Sequence, residues 1–363
     1  MDAIAAGFEV VAIDAFADAD TKQFAYQVIC VAQVNGNFDT VDFLNKLQEV
    51  QLEGCIGLIY GSGFEGNIEL LTALEQQLPL IGNLPQIVAM VKNPVAFFDV
   101  LSQLNIAYPE VCFNHLQDKQ GWLIKRNVGS GGMYVKRAQA DTLLQEGDYF
   151  QREIVADGQC ATPVSLLFLA DGRCAEAIGF NWQLLASAEV TPFRYGGVVS
   201  QYHLVEETRQ ELCNIANKLT LYYGLRGLNS LDVMLISDGF SEQIFVLEIN
   251  PRLSASVGLY QFKKTHLLKL HVESCNKKAE HKLKSSQVNA TSIAHGVFYA
   301  PFDMVISPEK IWPSWVVDIP GVNSKIKKDE PVCSVIASAD NFELVHEMLL
   351  MRLAELQQIL FNQ

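Results

Sequence analysis

The chain has 363 residues, 49% of them apolar and 19% charged, with a formal net charge of −14 at pH 7. That length exceeds one ordinary domain of about 100–200 residues and permits two or three packed units, while the composition excludes a disordered chain and no apolar run reaches the roughly 20 residues of a membrane span. The acidic balance opposes nonspecific nucleic-acid binding, which needs a basic face toward phosphate, so any anionic ligand must be held by local groups.

The opening MDAIAAGFEVV lacks the basic stretch of a secretory signal, and a cytoplasmic location is the expectation. EVVAIDA reads as a strand, the stretch around Phe24 to Ala32 as a helix, VDFLNKLQEVQ and IELLTALEQQL as helices, and CIGLIY and PLIGN as strands. This alternation predicts an N-terminal open α/β layer with a largely parallel sheet over residues 1–84. Asn93 before Pro94 is an N-cap followed by a proline at the first helical position, which starts a helix through PVAFFDVLSQL.

From about Gly121 the texture changes to strands and tight turns: GWLIKRN, MYVKRA, YFQREIV, TPVSLLFLADGRCAEAIGF and SLDVMLISDGFSEQIFVLEIN. Asp171-Gly172 and Asp238-Gly239 are hairpin signals, because both residue types tolerate positive φ. Between them a helix places Leu212, Ile215, Ala216 and Leu219 on one face and stops at Gly224. Residues 263–284 hold seven lysines and three histidines and read as a solvated helix plus loop; His266, His271 and His281 do not fit a zinc pattern. Short strands follow from Ala294 to Ala339, and Asn341 to Leu360 forms an amphipathic closing helix. Eight cysteines without a C-x-x-C pair predict neither disulfides nor structural zinc.

The chemistry gathers near residue 250, where the apolar strand in IFVLEINPRLSAS carries Glu248, Asn250 and Arg252 to its tip. Unpaired burial there would cost about 2–7 kcal/mol for the amide and more for a charge. A hairpin turn centred near Phe240 sets Asp232 opposite Glu248, with Cβ atoms roughly 4.5–5.5 Å apart, where like charges repel. Asn250 shares the face of Glu248 because side chains alternate along a strand. A hard divalent cation resolves the repulsion, and magnesium needs few protein ligands because it arrives with substrate phosphates. Asp232, Glu248 and Asn250 are therefore candidate ligands of a magnesium nucleotide; acids lining a sheet edge or paired with arginines are the plainer alternative.

A second constellation, GWLIKRNVGSGGMYVKRA, puts Lys125 on a strand ahead of Gly129, Ser130, Gly131 and Gly132. Glycines let backbone N–H groups close over an anion, and lysine supplies a point charge to phosphate. The pattern is not a P-loop, since G-x-x-x-x-G-K-[ST] is absent; an ordinary glycine-rich turn is the alternative. Arg194, before a Gly-Gly pair, offers a bidentate fork suited to a substrate carboxylate, with an ordinary surface arginine as the alternative.

These pieces, in this order, resemble the ATP-grasp superfamily of ligases over roughly residues 55 to 260. The resemblance implies a Rossmann-like N-terminal α/β domain (1–84), a central lobe with the glycine-rich flap (85–150), a second lobe with the magnesium site (151–290) and a C-terminal extension (291–363). It implies ATP and magnesium as cofactors, Lys92 as a lysine contacting the nucleotide, Lys125 as a lysine touching the phosphates, and Gln151, Arg152, Glu153 and Ile154 as the segment facing adenine and ribose. It also implies Asp232, Glu248 and Asn250 as metal ligands and Arg252 as the group that steadies the acyl phosphate. Arg126, where many members have proline, and Gln151, where glutamate is frequent, depart from the pattern.

GSGFEGN, LIGNLP, FRYGGVVS and WVVDIPGV further resemble a bacterial group of ATP-dependent carboligases related to biotin carboxylase, some tied to methanofuran-like cofactor synthesis. That implies an enzyme joining a glutamate carboxyl to a small amine such as tyramine or tyrosine, with small-molecule partners, no membrane or nucleic acid, and a homodimer as the expected assembly. A bicarbonate-using carboxylase keeps the same nucleotide site. The rival in another class is an NAD enzyme, from the G-x-G-x-x-G spacing of Gly61, Gly63 and Gly66, with Asn83 where a ribose-binding acid is expected. A non-catalytic nucleotide-binding protein is the remaining alternative. On the ligase reading Gly63 borders the substrate and Glu65 points at an ammonium group.

Overall fold

Long strands, the central ones apolar on both faces, dominate the second half of the chain. The computed structural model describes residues 2–34, 36–126, 131–155, 160–237, 241–260, 266–276 and 291–361. Among them an eight-stranded antiparallel sheet runs in the order Glu242–Asn250, Arg226–Ser237, Cys160–Asp171, Ala175–Leu185, Tyr195–Val199, Ser292–Tyr299, Pro331–Ala339 and Val316–Val317. Alternation sends Val164, Leu166, Phe168, Leu231, Val233 and Leu235 to one face, where they meet Leu212, Ile215 and Leu219 of the helix Glu206–Tyr223. At about 25 cal/mol per Å² of apolar surface, this packing outweighs any helix propensity. Gly224, with φ 68°, ends that helix in the left-handed conformation. The closing helix Phe342–Phe361 buries Val345, Leu349, Leu356 and Leu360 over the far end of the sheet.

The opposite face of the sheet is covered near its centre by the helix Leu267–Cys275, whose Leu267, Leu270, His271 and Val272 are buried. A solvated helix is therefore not what residues 267–275 form. The Nδ1 atom of His271 accepts from the Leu228 N–H at 2.8 Å and Nε2 donates to the Ile81 carbonyl at 2.8 Å; burial pushes its pKa down to about 4. Lysine count concealed an apolar face. Residues 277–290, with His281, lie outside the described residues.

The N-terminal unit departs further from its expected pattern. The stretch around Phe24 to Ala32 is not one helix: a helix occupies Ala19–Phe24, and Gln27–Cys30 is a strand paired in parallel with Val11–Asp14. The β-branched pair Val28 and Ile29 fits a pleated surface better than a helix. CIGLIY and PLIGN make only one parallel bridge, Leu58 to Leu80. The helices Thr40–Leu47 and Ile68–Glu75 form as expected, capped by Asp39 and Asn67.

Between these units a four-stranded antiparallel sheet runs Val111–Cys112, Asp148–Arg152, Trp122–Arg126 and Val135–Arg137. It follows the helices Pro85–Lys92 and Pro94–Gln103, the second capped by the Asn93 side chain. No helix of the described residues is long and apolar enough to cross a membrane.

Candidate functional site

The hairpin register predicted from the sequence is present: Asp232 pairs with Glu248 and Ser230 with Asn250. A bulge between Asp232 and Val233 shifts the rest by one, so Val233 faces Val246; such bulges re-aim side chains locally. The Asp238-Gly239 turn lies outside the described residues.

Two carboxylates and an amide converge at the open end of this ribbon. The Nδ2 of Asn250 donates to Oδ2 of Asp232 at 2.9 Å, and Lys92, ending its helix, donates from Nζ to Oδ1 of Asn250 at 2.8 Å and to Oε2 of Glu248 at 3.4 Å. The other oxygen of Asp232, Oδ1, is buried without a partner. Burial and the neighbouring Glu248 charge raise the Asp232 pKa to about 7. Burial opposes ionisation of Glu248 as well, but Lys92, Lys125 and Arg252 together hold it well below the usual carboxylate range. Glu248 is 45% exposed, opening to the cleft, which is where a positive ligand can reach it.

Lys125, on the strand Trp122–Arg126, donates to Oε1 of Gln151 at 3.3 Å. Burial works against its charge, yet Tyr149, Glu248 and Asp232 raise its pKa above the ordinary lysine value. Gln151 is buried, with Nε2 unpartnered. Of its three neighbours in sequence, Arg152 donates to the Gln120 carbonyl at 2.9 Å over the Trp122 ring, and Glu153 forms a bidentate pair with Arg137. Ile154 is half-buried. Gln151 is thus the hinge side chain with an open hydrogen-bonding group, while Arg152 and Glu153 are engaged within the protein.

The flap glycines Gly131 and Gly132 have φ of 68° and 70°, and a Cβ on Gly132 would lie 2.0 Å from the Phe193 carbonyl oxygen. Only glycine fits both constraints. Gly129 and Ser130 lie outside the described residues. The Gly131 carbonyl accepts from the Tyr195 N–H at 2.8 Å, joining the flap to the large sheet.

Two expectations are revised. Arg194 is buried, not at the surface: Nε donates to the Ala186 carbonyl at 2.9 Å, Nη1 to Asp329, and the guanidinium stacks 3.8 Å from the Tyr299 centroid. Protein groups occupy the fork that the sequence reading reserved for a substrate. Glu65 does not face an open space for an ammonium: Oε1 accepts from Nε of Arg252 and Oε2 from the Gly63 N–H at 3.1 Å. Burial resists its charge, but Arg252 and Lys92 hold its pKa below the usual value. The loop holding Gly63, with φ 98°, therefore orients Arg252.

The dinucleotide alternative loses its ribose partner in the same region. Asn83 is buried, donating to Oδ1 of Asn229 at 2.7 Å and to the Pro251 carbonyl at 2.9 Å while accepting from the Arg226 N–H at 2.8 Å. Gly66 N–H donates to Asn37 at 3.1 Å instead of facing a pyrophosphate.

Do these residues suit a magnesium ion? Among the described residues no three His, Cys, Asp or Glu side chains form a metal-ligating group. The donor set of Asp232, Glu248 and Asn250 nonetheless suits magnesium that keeps phosphate and water ligands. The orphaned Oδ1 of Asp232 and the opposed charges would both be resolved by a cation. Asn250 would present its oxygen once its amide turns over and Lys92 moves aside. Sequence reading missed Tyr149, beside Lys125, and Tyr195; the signal available for Tyr195 was its place between Arg194 and Gly196-Gly197.

Residues 91–256 match the family model for the ATP-grasp domain. The chain is 24% identical over 241 residues to the carbamoyl phosphate synthase large chain of Pseudomonas aeruginosa, covering 61% of this chain but only 22% of that relative. It thus spans about a fifth of that relative's length. An uncharacterized protein of Methanocaldococcus jannaschii is 22% identical over 372 residues, 94% of this chain and 86% of its own. Among solved structures, the biotin carboxylase domain of Hydrogenobacter thermophilus 2-oxoglutarate carboxylase superposes with a TM-score of 0.71 at 12% identity, covering 96% of this chain and 84% of that one. N5-carboxyaminoimidazole ribonucleotide synthetase from Thermotoga maritima gives 0.64 at 13% identity, over 97% and 92%. At these identities the structural likeness shows the fold: mixed α/β, of the ATP-grasp type found in biotin carboxylase.

Proposed function

We propose that this chain, whose residues 91–256 are an ATP-grasp domain, is an ATP- and magnesium-dependent carboxylate–amine ligase that forms ADP. The observation that carries the reading is the opposed Asp232–Glu248 pair with an orphaned oxygen, flanked by Lys92, Lys125 and Arg252. The biotin carboxylase domain of Hydrogenobacter was solved with MgADP, ADP and bicarbonate, which supports a nucleotide and its metal as the ligands.

A carboxylate oxygen attacks the γ-phosphorus and the bond to the β-phosphate oxygen breaks, giving an acyl phosphate and ADP. An amine nitrogen then attacks the acyl carbon, phosphate leaves, and the nitrogen gives up a proton. Phosphoryl transfer depends on positioning and charge neutralisation more than on covalent help from the protein. Lys92 and Lys125 bind the phosphates, Gln151 and the backbone beside Ile154 face the adenine, and Arg252, held by Glu65, steadies the acyl phosphate. Magnesium, when bound by Asp232, Glu248 and Asn250, neutralises phosphate charge.

For substrates the reading takes a glutamate carboxyl and a small amine such as tyramine or tyrosine, in the synthesis of a one-carbon carrier. A carboxylase acting on bicarbonate is the second reading, favoured by the biotin carboxylase likeness. The enzyme works on small molecules, and a homodimer, the state named for the Hydrogenobacter domain, is the assembly proposed. Incubation with Mg-ATP and either L-glutamate plus tyramine or tyrosine, or bicarbonate, tests both through ADP release and product mass. Glutamate-dependent release with an amide product supports the first, bicarbonate-dependent release the second; ATP turnover indifferent to every carboxylate refutes the ligase.

A further inference from the structure

Among the described residues seven buried side-chain polar atoms lack a partner, and three of them belong to Gln151 (Nε2), Asp232 (Oδ1) and Tyr195 (the hydroxyl). The nucleotide and its metal account for the first two. Tyr195 has no such role, yet it sits at a junction. A bulge between Leu184 and Leu185 sets it opposite Leu185 at the start of its strand. Its N–H donates to the flap carbonyl of Gly131 at 2.8 Å, and its own carbonyl accepts from the Tyr299 hydroxyl at 2.7 Å. The ring packs against the apolar cluster that contains Val198, Leu228 and Leu259. Burial and the fields of Asp232 and Tyr299 raise its pKa, against a smaller pull from Arg252, so the phenol stays a neutral donor.

A buried hydroxyl left unpaired is destabilising, and phenylalanine would fill the same space without that penalty. We infer that the Tyr195 hydroxyl donates to the carboxylate substrate next to the γ-phosphate. The inference rests on the ligase reading above and deepens it, naming a carboxylate-binding residue. The same phenol serves glutamate or bicarbonate, since both present carboxylate-type oxygens.

The test uses the full chain loaded with magnesium and a non-hydrolysable ATP analogue, and measures binding of radiolabelled L-glutamate and of bicarbonate to wild type and Tyr195→Phe. The substitution keeps the ring and the backbone bond to Gly131. The expected result is a tenfold or greater loss of affinity for the bound carboxylate, the scale of a hydrogen bond to a charged group, with nucleotide affinity within twofold and a thermal midpoint equal or higher. Equal carboxylate affinity in the two proteins overturns the role of Tyr195 and leaves the ligase intact. If nucleotide-loaded wild type binds neither carboxylate, the ligase reading and this inference fall together.

Discussion

Two buried polar clusters sit on the same strand Arg226–Ser237, and they differ in one respect. Around Asn83, Asn229 and His271 every polar atom of the three side chains has a protein partner: Asn83 spans Asn229, Pro251 and Arg226, Asn229 also donates to the Gly227 carbonyl at 2.8 Å, and His271 bridges Leu228 and Ile81. Around Asp232, like charges oppose each other and an oxygen is orphaned. A closed network rigidifies a seam between units, whereas an open one stores unfavourable energy that a ligand can release. Satisfaction of hydrogen bonds, more than residue type, separates structural polarity from a binding site.

Removing a proposed metal ligand should have the largest effect. Glu248→Gln is expected to lower ADP formation about 100- to 1,000-fold, the scale for losing charge stabilisation in a transition state, with an unchanged circular dichroism spectrum; full activity would refute the metal role. Breaking the closed cluster should act on stability instead. Asn83→Leu strands partners on both sides of the seam and should lower unfolding free energy by about 2–3 kcal/mol, read by denaturant melts, while activity per folded molecule at low temperature stays near wild type.

Asp232→Asn should separate the two behaviours in one residue. A carboxyl whose folded pKa is raised stabilises the fold only below its unfolded value, and that contribution is lost as pH rises through about 7. The variant should therefore lose magnesium-dependent turnover yet melt higher than wild type at pH 8, by on the order of 1 kcal/mol, with a smaller gain at pH 5. The same proton competes with the metal, so magnesium affinity of the wild type should weaken as pH falls below about 7; a pH-independent affinity by calorimetry would contradict this. The smallest effect is expected at the flap. Lys125→Ala should weaken ATP binding about tenfold, the lower end for one charge-assisted contact, because the cleft is partly screened.

Local chemistry explains what was legible from sequence. The hairpin register, the helix stop at Gly224, the helix start at Asn93, and the apolar face of Leu212, Ile215 and Leu219 follow from rules spanning a few residues. The strand at Gln27–Cys30 was not legible because its four residues form only against Val11–Asp14. Glu65 and Arg252, 187 residues apart, were assigned separate tasks, and nothing in either neighbourhood announced that they pair. The burial of Arg194 was not legible because its partner Asp329 lies 135 residues away. Tyr195 passed unnoticed since an orphaned hydroxyl is a property of its surroundings.

By itself the amino-acid order determined which groups share the tip of the ribbon: alternation along two strands joined by a short turn places Asp232, Glu248 and Asn250, the proposed metal ligands, on one face. Only the tertiary structure decided which of the remaining charges and hydroxyls are spent on the protein and which are left over for a ligand. The reason is that hydrogen-bond satisfaction and desolvation depend on neighbours brought together from distant segments, and no local pattern encodes them.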